Sequence, residues 1–589
     1  MTTRREVLLV GEGNFSFSAA VCQAAGDSAR VTATCLLSEE AARQQEHADA
    51  NLQRLKDYGA DVYFQVDCTR LKECEKLTPR LFDCVIFNFP HCGRKSGVKK
   101  NRSLLAKFFH SCVQVLTESG EVHVALCNGQ GGTPVDKPMR EWHNSWQAVA
   151  MAAEAGLILN DICPFDRDKY QSYKCTGYRS QDKGFHVEGA LTHTFTRSLP
   201  YTTLQKVKME VLLGRESVLF EIPEELSEYV NRDFLHPQSH HPVRIVQEQL
   251  LRELQSDGPV CTLEMEWPEL FRKSPERLQA CGPEVTPSEV YWIRPIETRV
   301  LSEEDRDTVV DSGSNGGQNS ATWGYRLRPS LLIHVQEMVQ HRDFRPEVLY
   351  AVSGLVFRRA PVSRSGGCGA PVFHQLLLLG SFPVESQPLL QLRSRLEALL
   401  VPHGFSFKDE EEEEGGGVNQ VWVNSKDLSR VGRLATMTAP SGEGPEGIQL
   451  CVVTLSLDLL AAQLFSVQDW RLLWSPDPRF QAHFLSESPG PFRDFSLYSL
   501  AYTHDISFWV EPDSFDELAF HALVRRVSAG AVREVVLVDR FRHPHMGHAS
   551  LCYRLTYQSS DRALSQTQAL GMQLQLRQLL PLRLQVTLR

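Results

Sequence analysis

No run of about 18 apolar residues occurs in the 589-residue chain, so no helical membrane span is expected. No long, acid-free, arginine-rich amphipathic segment opens it either. Met1-Thr-Thr-Arg-Arg-Glu6 passes directly into an apolar stretch, and no small-residue cleavage site follows. The expected compartment is the cytoplasm, with the nucleus or nucleolus as the alternative. Among 15 cysteines there is no CxxC pair, which excludes a zinc ribbon and a dithiol redox motif, and no metal site is expected. Their odd, scattered occurrence reads as reduced thiols, mostly buried as small hydrophobes. Positive charge is not in excess: 62 Lys and Arg against 72 Asp and Glu give a net charge of -10. General coating of nucleic acid is thereby disfavoured, while a local basic surface stays open.

What is present is ordinary globular material, 42% hydrophobic and 23% charged, in a chain too long for one core. About three domains are expected. Residues 1–200 alternate strand-like and helix-like patterns. Val7–Val10, Val31–Leu37, Val62–Val66, Asp83–Phe87 and Glu121–Leu126 read as strands, with helical spacing over Ala41–Tyr58 and Ser103–Leu116. Such alternation predicts a parallel sheet with helices on both faces and ligands at the carboxyl ends of its strands. Asp311–Ser320 has no apolar residue and reads as a loop. The acidic run Asp409–Glu414 with Gly415–Gly417 reads as a solvated insertion. A further break falls at Ser486–Pro491. No tandem repeat is visible.

The first strand ends in Gly11-Glu12-Gly13, where glycines permit a tight turn and close approach of a ligand. Asp67 and Asn88-Phe89-Pro90-His91 follow two other strands at the same sheet edge. The dinucleotide fingerprint needs a third glycine at position 16, which is Ser16. Glycine, acid and Asn-x-Pro-aromatic at three strand ends suit the methyltransferase version of this fold better. Gly11-Glu-Gly-Asn-Phe-Ser-Phe-Ser18, Val66-Asp-Cys-Thr69, Phe87-Asn-Phe-Pro-His91, Asn101-Arg102, Phe108-Phe109, Gly120-Glu-Val-His123, Pro164-Phe165, Tyr178 and Thr192-His-Thr-Phe195 resemble the large-subunit rRNA uridine-N3 methyltransferases. The resemblance implies a Rossmann-like domain over 1–200. S-Adenosylmethionine would be held by Gly11, Glu12, Gly13 and Asn14, with Asp67 near the adenine. Asn88, Phe89, Pro90 and His91 would hold the target base. The family's ribose-binding acid after the second strand is missing: Cys35-Leu-Leu-Ser38 stands there.

In that frame the Asn88 or Phe89-Pro90 carbonyl would accept the uridine N3–H, and His91 is the nearby candidate base. Phe89 and His91 offer flat surfaces to an unstacked base, core packing being an equal alternative for Phe89. Lys95, Lys99, Lys100 and Arg102 would grip flanking phosphates, a solvated face being the plain alternative.

Beyond a linker at 201–236, residues 237–485 carry His240-His-Pro-Val-Arg244, Tyr325-Arg-Leu-Arg-Pro-Ser330, Gly354-Leu-Val-Phe-Arg-Arg359, Pro371-Val-Phe-His-Gln375, Thr454–Leu460, Trp470–Ser475 and Pro478-Arg-Phe480. These resemble the catalytic core of phenylalanyl-tRNA synthetase, a class II enzyme, in degenerate form. Ala360 stands where an acid is expected, Leu376–Leu379 follow where another is, and Leu459 replaces the arginine that clamps ATP. A leucine supplies no cation for phosphate. The implied fold is a scaffold or tRNA-docking surface without aminoacylation, an inert spacer being the plain alternative.

Residues 490–589 contain Asp505–Val510, Leu537-Val-Asp-Arg-Phe541, His543-Pro544 and Ser550–Tyr557, and resemble the ferredoxin-fold anticodon-binding domain of the same synthetase. From Arg525 onward ten arginines face three acids, so Arg540, Arg542 and Arg554 are candidate RNA contacts, with Phe541, Tyr553 or Tyr557 stacking on bases. Their period-two spacing puts some in the core. The expected architecture is thus multidomain α/β and α+β. The expected function is RNA base methylation at uridine N3 of rRNA or tRNA. The alternative is a non-catalytic tRNA-binding protein with two degenerate folds. The sequence names no partner subunit.

Overall fold

The computed structural model describes residues 4–93, 96–176, 187–256, 258–263, 265, 267–300, 324–364, 369–410, 420–427, 429–437, 448–486, 488–511, 515–544 and 547–589. Two compact units are formed. One comprises Met1–Tyr201, Asp494–Tyr502 and Tyr557–Leu574, the other Thr202–Arg493, Thr503–Thr556 and Gln575–Arg589.

The first unit is built on β1 (Arg5–Leu9), β2 (Ala29–Thr34), β3 (Asp61–Tyr63), β4 (Phe82–Asn88), β5 (Leu116–Leu126), β6 (Leu157–Pro164) and β7 (Leu191–Arg197), in the order 3-2-1-4-5-7-6. The first five strands are parallel, with Val7 beside both Val31 and Cys84 and Val85 beside Val122. Strand β7 runs antiparallel to both neighbours, placing Phe195 between Val122 and Leu159. Both faces are covered, which is why Val7–Val10 is an unbroken apolar run. Leu8 and Val10 enter one core with Val85, Phe108, Phe109 and Phe195; Val7 and Leu9 enter the other with Phe15, Ala33 and Leu55.

Helices α1 (Ser16–Ala25), α2 (Glu39–Arg43), α3 (Ala48–Asp57), α4 (Val98–Cys112) and α5 (Ala148–Ala153) fill the crossovers. The single helix expected over 41–58 is two helices, because His47 takes φ +65° and starts α3 afresh. The edge strand β6 gains a late neighbour: Leu497 N–H donates to Leu159 O at 2.7 Å.

The second unit holds a seven-stranded sheet in the order Val260–Cys261, Leu349–Phe357, Val372–Pro383, Ile448–Ser456, Arg430–Met437, Gln420–Asn424, Ser406–Glu410. All its pairs are antiparallel except the first. Asp409 and Glu410, expected in a solvated insertion, end the last strand instead. Asp409 pairs with Arg393 at 2.7 Å and Glu410 accepts from Trp422 Nε1 at 2.8 Å. Residues 411–417 and the loop expected over 311–320 lie outside the described residues.

A four-stranded sheet in the order Val532–Arg542, Ala549–Tyr557, Tyr502–Val510, Thr587–Leu588 is accompanied by the helices Glu517–Ser528 and Gln566–Leu584. Their chain order, strand–helix–strand–strand–helix–strand, is that of the ferredoxin fold. Among the described residues no helix is long and apolar enough to cross a membrane.

Candidate functional site

Strand β1 is flanked by β2 on one side and β4 on the other, so the winding reverses between β1 and β4. A crevice opens at the carboxyl ends of two such strands, and the Gly11 turn and the Asn88 segment meet there. Val10 N–H donates to Ile86 O at 3.0 Å, and Gly11 sits at φ +70° with its α-carbon against the Phe87 ring. A methyl added to Gly11 would lie 2.5 Å from Phe87 Cε2. Two independent constraints, the left-handed backbone and the aromatic neighbour, therefore fix this glycine.

Glu12 folds back onto the helix that the turn begins. Its Oε2 accepts the Ser18 N–H at 3.1 Å, near the positive end of α1, yet burial still holds its carboxyl above the ordinary range. Asn14 is buried and engaged within the protein. Its amide donates to Glu46 O at 3.3 Å and accepts from Ser16 N, while Asn51 Nδ2 donates to its carbonyl at 2.9 Å. The Asn14 side chain anchors the turn to the start of α3. Asp67 is exposed beyond β3, where Val66 N–H still pairs with Cys35 O, and its Oδ1 accepts from Thr69 N and Oγ1 at 2.9 and 2.8 Å. At the matching end of β2, Leu36 and Leu37 are solvent-exposed.

The segment after β4 divides its labour. Asn88 Nδ2 is buried without a hydrogen-bond partner, which is costly unless something arrives to accept from it. Phe89 takes φ +49° and its ring is 5% exposed, edge-on to Phe165 at 5.4 Å. It is a core residue and offers no flat surface to a base; Pro90 beside it is buried as well. His91 is half-buried. Its Nδ1 accepts the Gly93 N–H at 3.0 Å, which places the neutral ring's proton on Nε2, 3.4 Å from Ser96 Oγ. Both ring nitrogens of His91, the candidate base, approach its own loop, which Asn101 fixes further by accepting from Cys92 N.

Of the basic cluster, Lys99 and Lys100 are exposed in the first turn of α4, and Lys95 lies outside the described residues, as does Tyr178. Arg102 is engaged within the protein. Its guanidinium donates to the carbonyls of Trp142, His143 and Ser145, at 2.6 Å for the last two, and closes the loop after β5.

Several residues of this edge carry no motif. Ser16 Oγ donates to Lys174 O and accepts from Lys174 N, both at 3.0 Å, so the chain after β6 is stapled to the glycine turn. Thr176 fills the space beside Gly13. Phe17 packs on Tyr170, Tyr173 and Phe165 with centroids 4.7, 5.4 and 6.1 Å away. Only the aromatic spacing over 165–173 could have suggested this in advance. His193 on β7 is fully buried, and burial pushes its pKa down against the opposing pull of Asp136 and of the Val124 and Leu191 backbone.

Toward the carboxyl end the side chains expected to meet RNA are split. Phe541 is 43% exposed and contacts Trp509 at 6.2 Å, with the Arg589 guanidinium 6.0 Å from its ring. Alternation puts Arg540 and Arg542 on the opposite face of that strand. Arg554 is paired with Asp505 through two contacts of 2.8 and 2.9 Å. Tyr553 and Tyr557 are buried, so of the three candidate aromatics Phe541 alone is available for stacking. Arg358 and Leu459 line one cavity with Phe373 and Gln375.

Comparison with known proteins adds two family matches. Residues 8–177 match the model described as rRNA (uridine-N3-)-methyltransferase BTM5-like, and residues 501–589 match the ferredoxin-fold anticodon binding domain. The chain is 40% identical to human "Ferredoxin-fold anticodon-binding domain-containing protein 1", with 97% of this chain and 98% of that one aligned. It is also 40% identical to the mouse homolog, over 99% and 100% of the two chains. Mouse mitochondrial phenylalanine--tRNA ligase is 39% identical over 115 residues, 19% of this chain and 25% of that one.

Proposed function

We propose that this chain, which belongs to the family of ferredoxin-fold anticodon-binding domain-containing protein 1, methylates a base of RNA at its first unit and holds that RNA with its second. The target atom proposed is uridine N3, in rRNA or tRNA. The functional modules proposed are 1–200, 237–485 and 490–589, the middle one without aminoacylation because Leu459 and Ala360 supply neither cation nor acid.

S-Adenosylmethionine fits the edge in part. Gly11, Glu12 and Gly13 would hold it, with Asp67 beside its adenine, and it would supply a methyl group on a sulfonium. No acid stands at Leu36 and Leu37 to bind its ribose, so the proposed affinity is modest.

The observation that carries the reading is the orphan amide of Asn88. Removing the N3 proton of a uracil places negative charge on its flanking carbonyl oxygens. A buried N–H fixed at that point stabilises the charge without reorganisation, which is the principle of an oxyanion hole. The Asn88 role therefore shifts from acceptor to donor. Pro90 and the left-handed Phe89 backbone fix Asn88 in position, His91 braces the loop, and the proton leaves to solvent. Lys99 and Lys100 meet phosphates at the rim. Loss of one such donor typically costs about 10²- to 10³-fold in kcat. Asn88→Ala should therefore cut methyl transfer to transcripts by about that factor while donor binding persists; equal activity in the variant would remove the proposed role.

A second reading, a non-catalytic RNA-binding protein, is favoured by two features. The Lys174–Thr176 segment lies against Gly13, and the ribose acid is missing. Calorimetric titration with S-adenosylmethionine separates the two readings, with Gly13→Arg as the control. Heat from the wild type and none from the variant supports the enzyme. No heat from the wild type leaves the RNA binder.

A further inference from the structure

We infer that the loop after β5, residues 127–147, carries a stacking platform: the Trp142 indole holds an unpaired base flanking the target, so the substrate is a single-stranded stretch of RNA and not a duplex. The inference rests on the reading of the first unit as an RNA methyltransferase.

The loop leaves the same sheet edge as the Asn88 segment, where Phe89 N–H donates to Ala125 O at 2.9 Å. It returns beside that segment: the Trp146 ring lies 6.4 Å from the His91 ring. Its base is firmly bonded. Asp136 is buried, and its carboxylate oxygens accept the Gly129 N–H at 2.8 Å and the Thr133 N–H at 2.9 Å. Asn128 Oδ1 accepts the Lys137 N–H at 2.7 Å. The Trp142 carbonyl accepts from Ser145 Oγ at 2.9 Å, from Gln147 Nε2 at 3.2 Å and from the Arg102 guanidinium at 3.2 Å.

On this base residues 137–144 are all exposed. Met139 is 68% exposed and Trp142 44%. Core packing does not account for an indole that is anchored through its own carbonyl and left in water. Large apolar faces of this kind mark binding surfaces. The surrounding charge selects the partner. Lys137 and Arg140 on the loop, and Lys99 and Lys100 in the first turn of α4, are exposed. The exposed acid Glu141 lies 3.2 Å from His143 Nε2. Lysine is depleted where proteins meet proteins. An RNA strand instead brings phosphates to the cations and the face of a base to the indole. Inside a duplex each base is already stacked, so the nucleotide on Trp142 must be unpaired.

The test is photo-cross-linking of the full chain to two RNA hairpins. One carries a single 5-iodouridine in its loop, the other in its stem, and mass spectrometry locates the adduct. An adduct on Trp142 is expected from the loop probe and none from the stem probe. Trp142→Ala should weaken binding of the loop hairpin by about fivefold or more, the effect of losing one stacked base, and Trp142→Phe should restore most of it. The bonds that hold the loop go to the Trp142 backbone, so both variants keep it in place. Changing Lys99 and Lys100 together to alanine should lower the yield of the adduct and flatten its salt dependence. No adduct on Trp142, an equal adduct from the stem probe, or unchanged affinity in Trp142→Ala would overturn the inference. None of these readouts needs methyl transfer. An adduct without S-adenosylmethionine binding strikes the enzyme reading while the platform stands; donor binding without the adduct strikes the platform alone.

Discussion

Replacing Gly11 by alanine tests the geometry that brings β1 and β4 together. An L-residue in the left-handed region costs about 1–2 kcal/mol. Its methyl group would also sit 2.5 Å from Phe87 Cε2 and 3.2 Å from Cδ2 and Cζ. Phe87 is 7% exposed and edge-on to Phe108 at 5.0 Å, so the ring has little room to withdraw. Overpacking of this kind costs about 1–3 kcal/mol. The sum, about 2–5 kcal/mol, is a large share of the ~5–15 kcal/mol that holds a typical domain folded. The two parts are separable. Phe87→Leu removes the ring edge, so in the double variant the steric part should vanish and the backbone part should remain. Hydrogen exchange of peptides covering 5–10 and 82–90, measured for all four proteins, reads the local opening energy. A favourable coupling of about 1–3 kcal/mol between the two changes is expected. Strict additivity, or a Gly11→Ala protein as protected as the wild type, would refute the close approach at this turn.

Arg102→Ala should destabilise the loop after β5 by about 1.5–3 kcal/mol, as loss of charged hydrogen bonds does, and leave the salt dependence of RNA binding unchanged; a shallower salt slope would restore a phosphate role. Arg540→Ala and Arg542→Ala should each lower that slope by roughly one, whereas Arg554→Ala should lower it less because Asp505 already neutralises that side chain. Equal effects from all three in filter-binding titrations would contradict the pairing. Burial holds His241 down to about 3 and His521 down to about 4, so both are neutral in the fold. An unfolded histidine takes up its proton near pH 6.5, so the unfolded chain binds protons first as pH falls. Their contribution to stability is complete above that value and is lost as pH falls, down to about 4 for His521 and about 3 for His241. His521→Asn should flatten the fall of the second unit's urea midpoint over that interval; an unchanged profile would assign the acid sensitivity elsewhere.

The strands of the first unit were legible because each is a short apolar run stopped by glycine or a polar residue, and the Gly11 turn and Asn88 segment fell beside each other as strand alternation requires. What escaped was of three kinds. Period and propensity cannot report a left-handed His47 that splits a helix. They cannot tell a cation that meets phosphate from one that closes a loop, as the Arg102 guanidinium does. They also give strand order only by default, and nothing in Leu191–Arg197 announces an antiparallel strand inserted between β5 and β6. Phe89 shows the same limit at the site: an aromatic at a strand end is exposed or buried according to a neighbour, here Phe165, seventy-six residues away in the chain.

The backbone bond from Leu497 to β6 carries a consequence for biosynthesis. Five parallel strands of the first unit leave the ribosome early, but the outer rim of that sheet gains its neighbour only after some three hundred further residues have been translated. Until then β6 presents an unpaired ladder, the kind of edge that invites pairing with other chains. Fragments ending near residue 200 should therefore aggregate more readily than the whole chain, and maturation of the amino-terminal half waits on the carboxyl-terminal half being made.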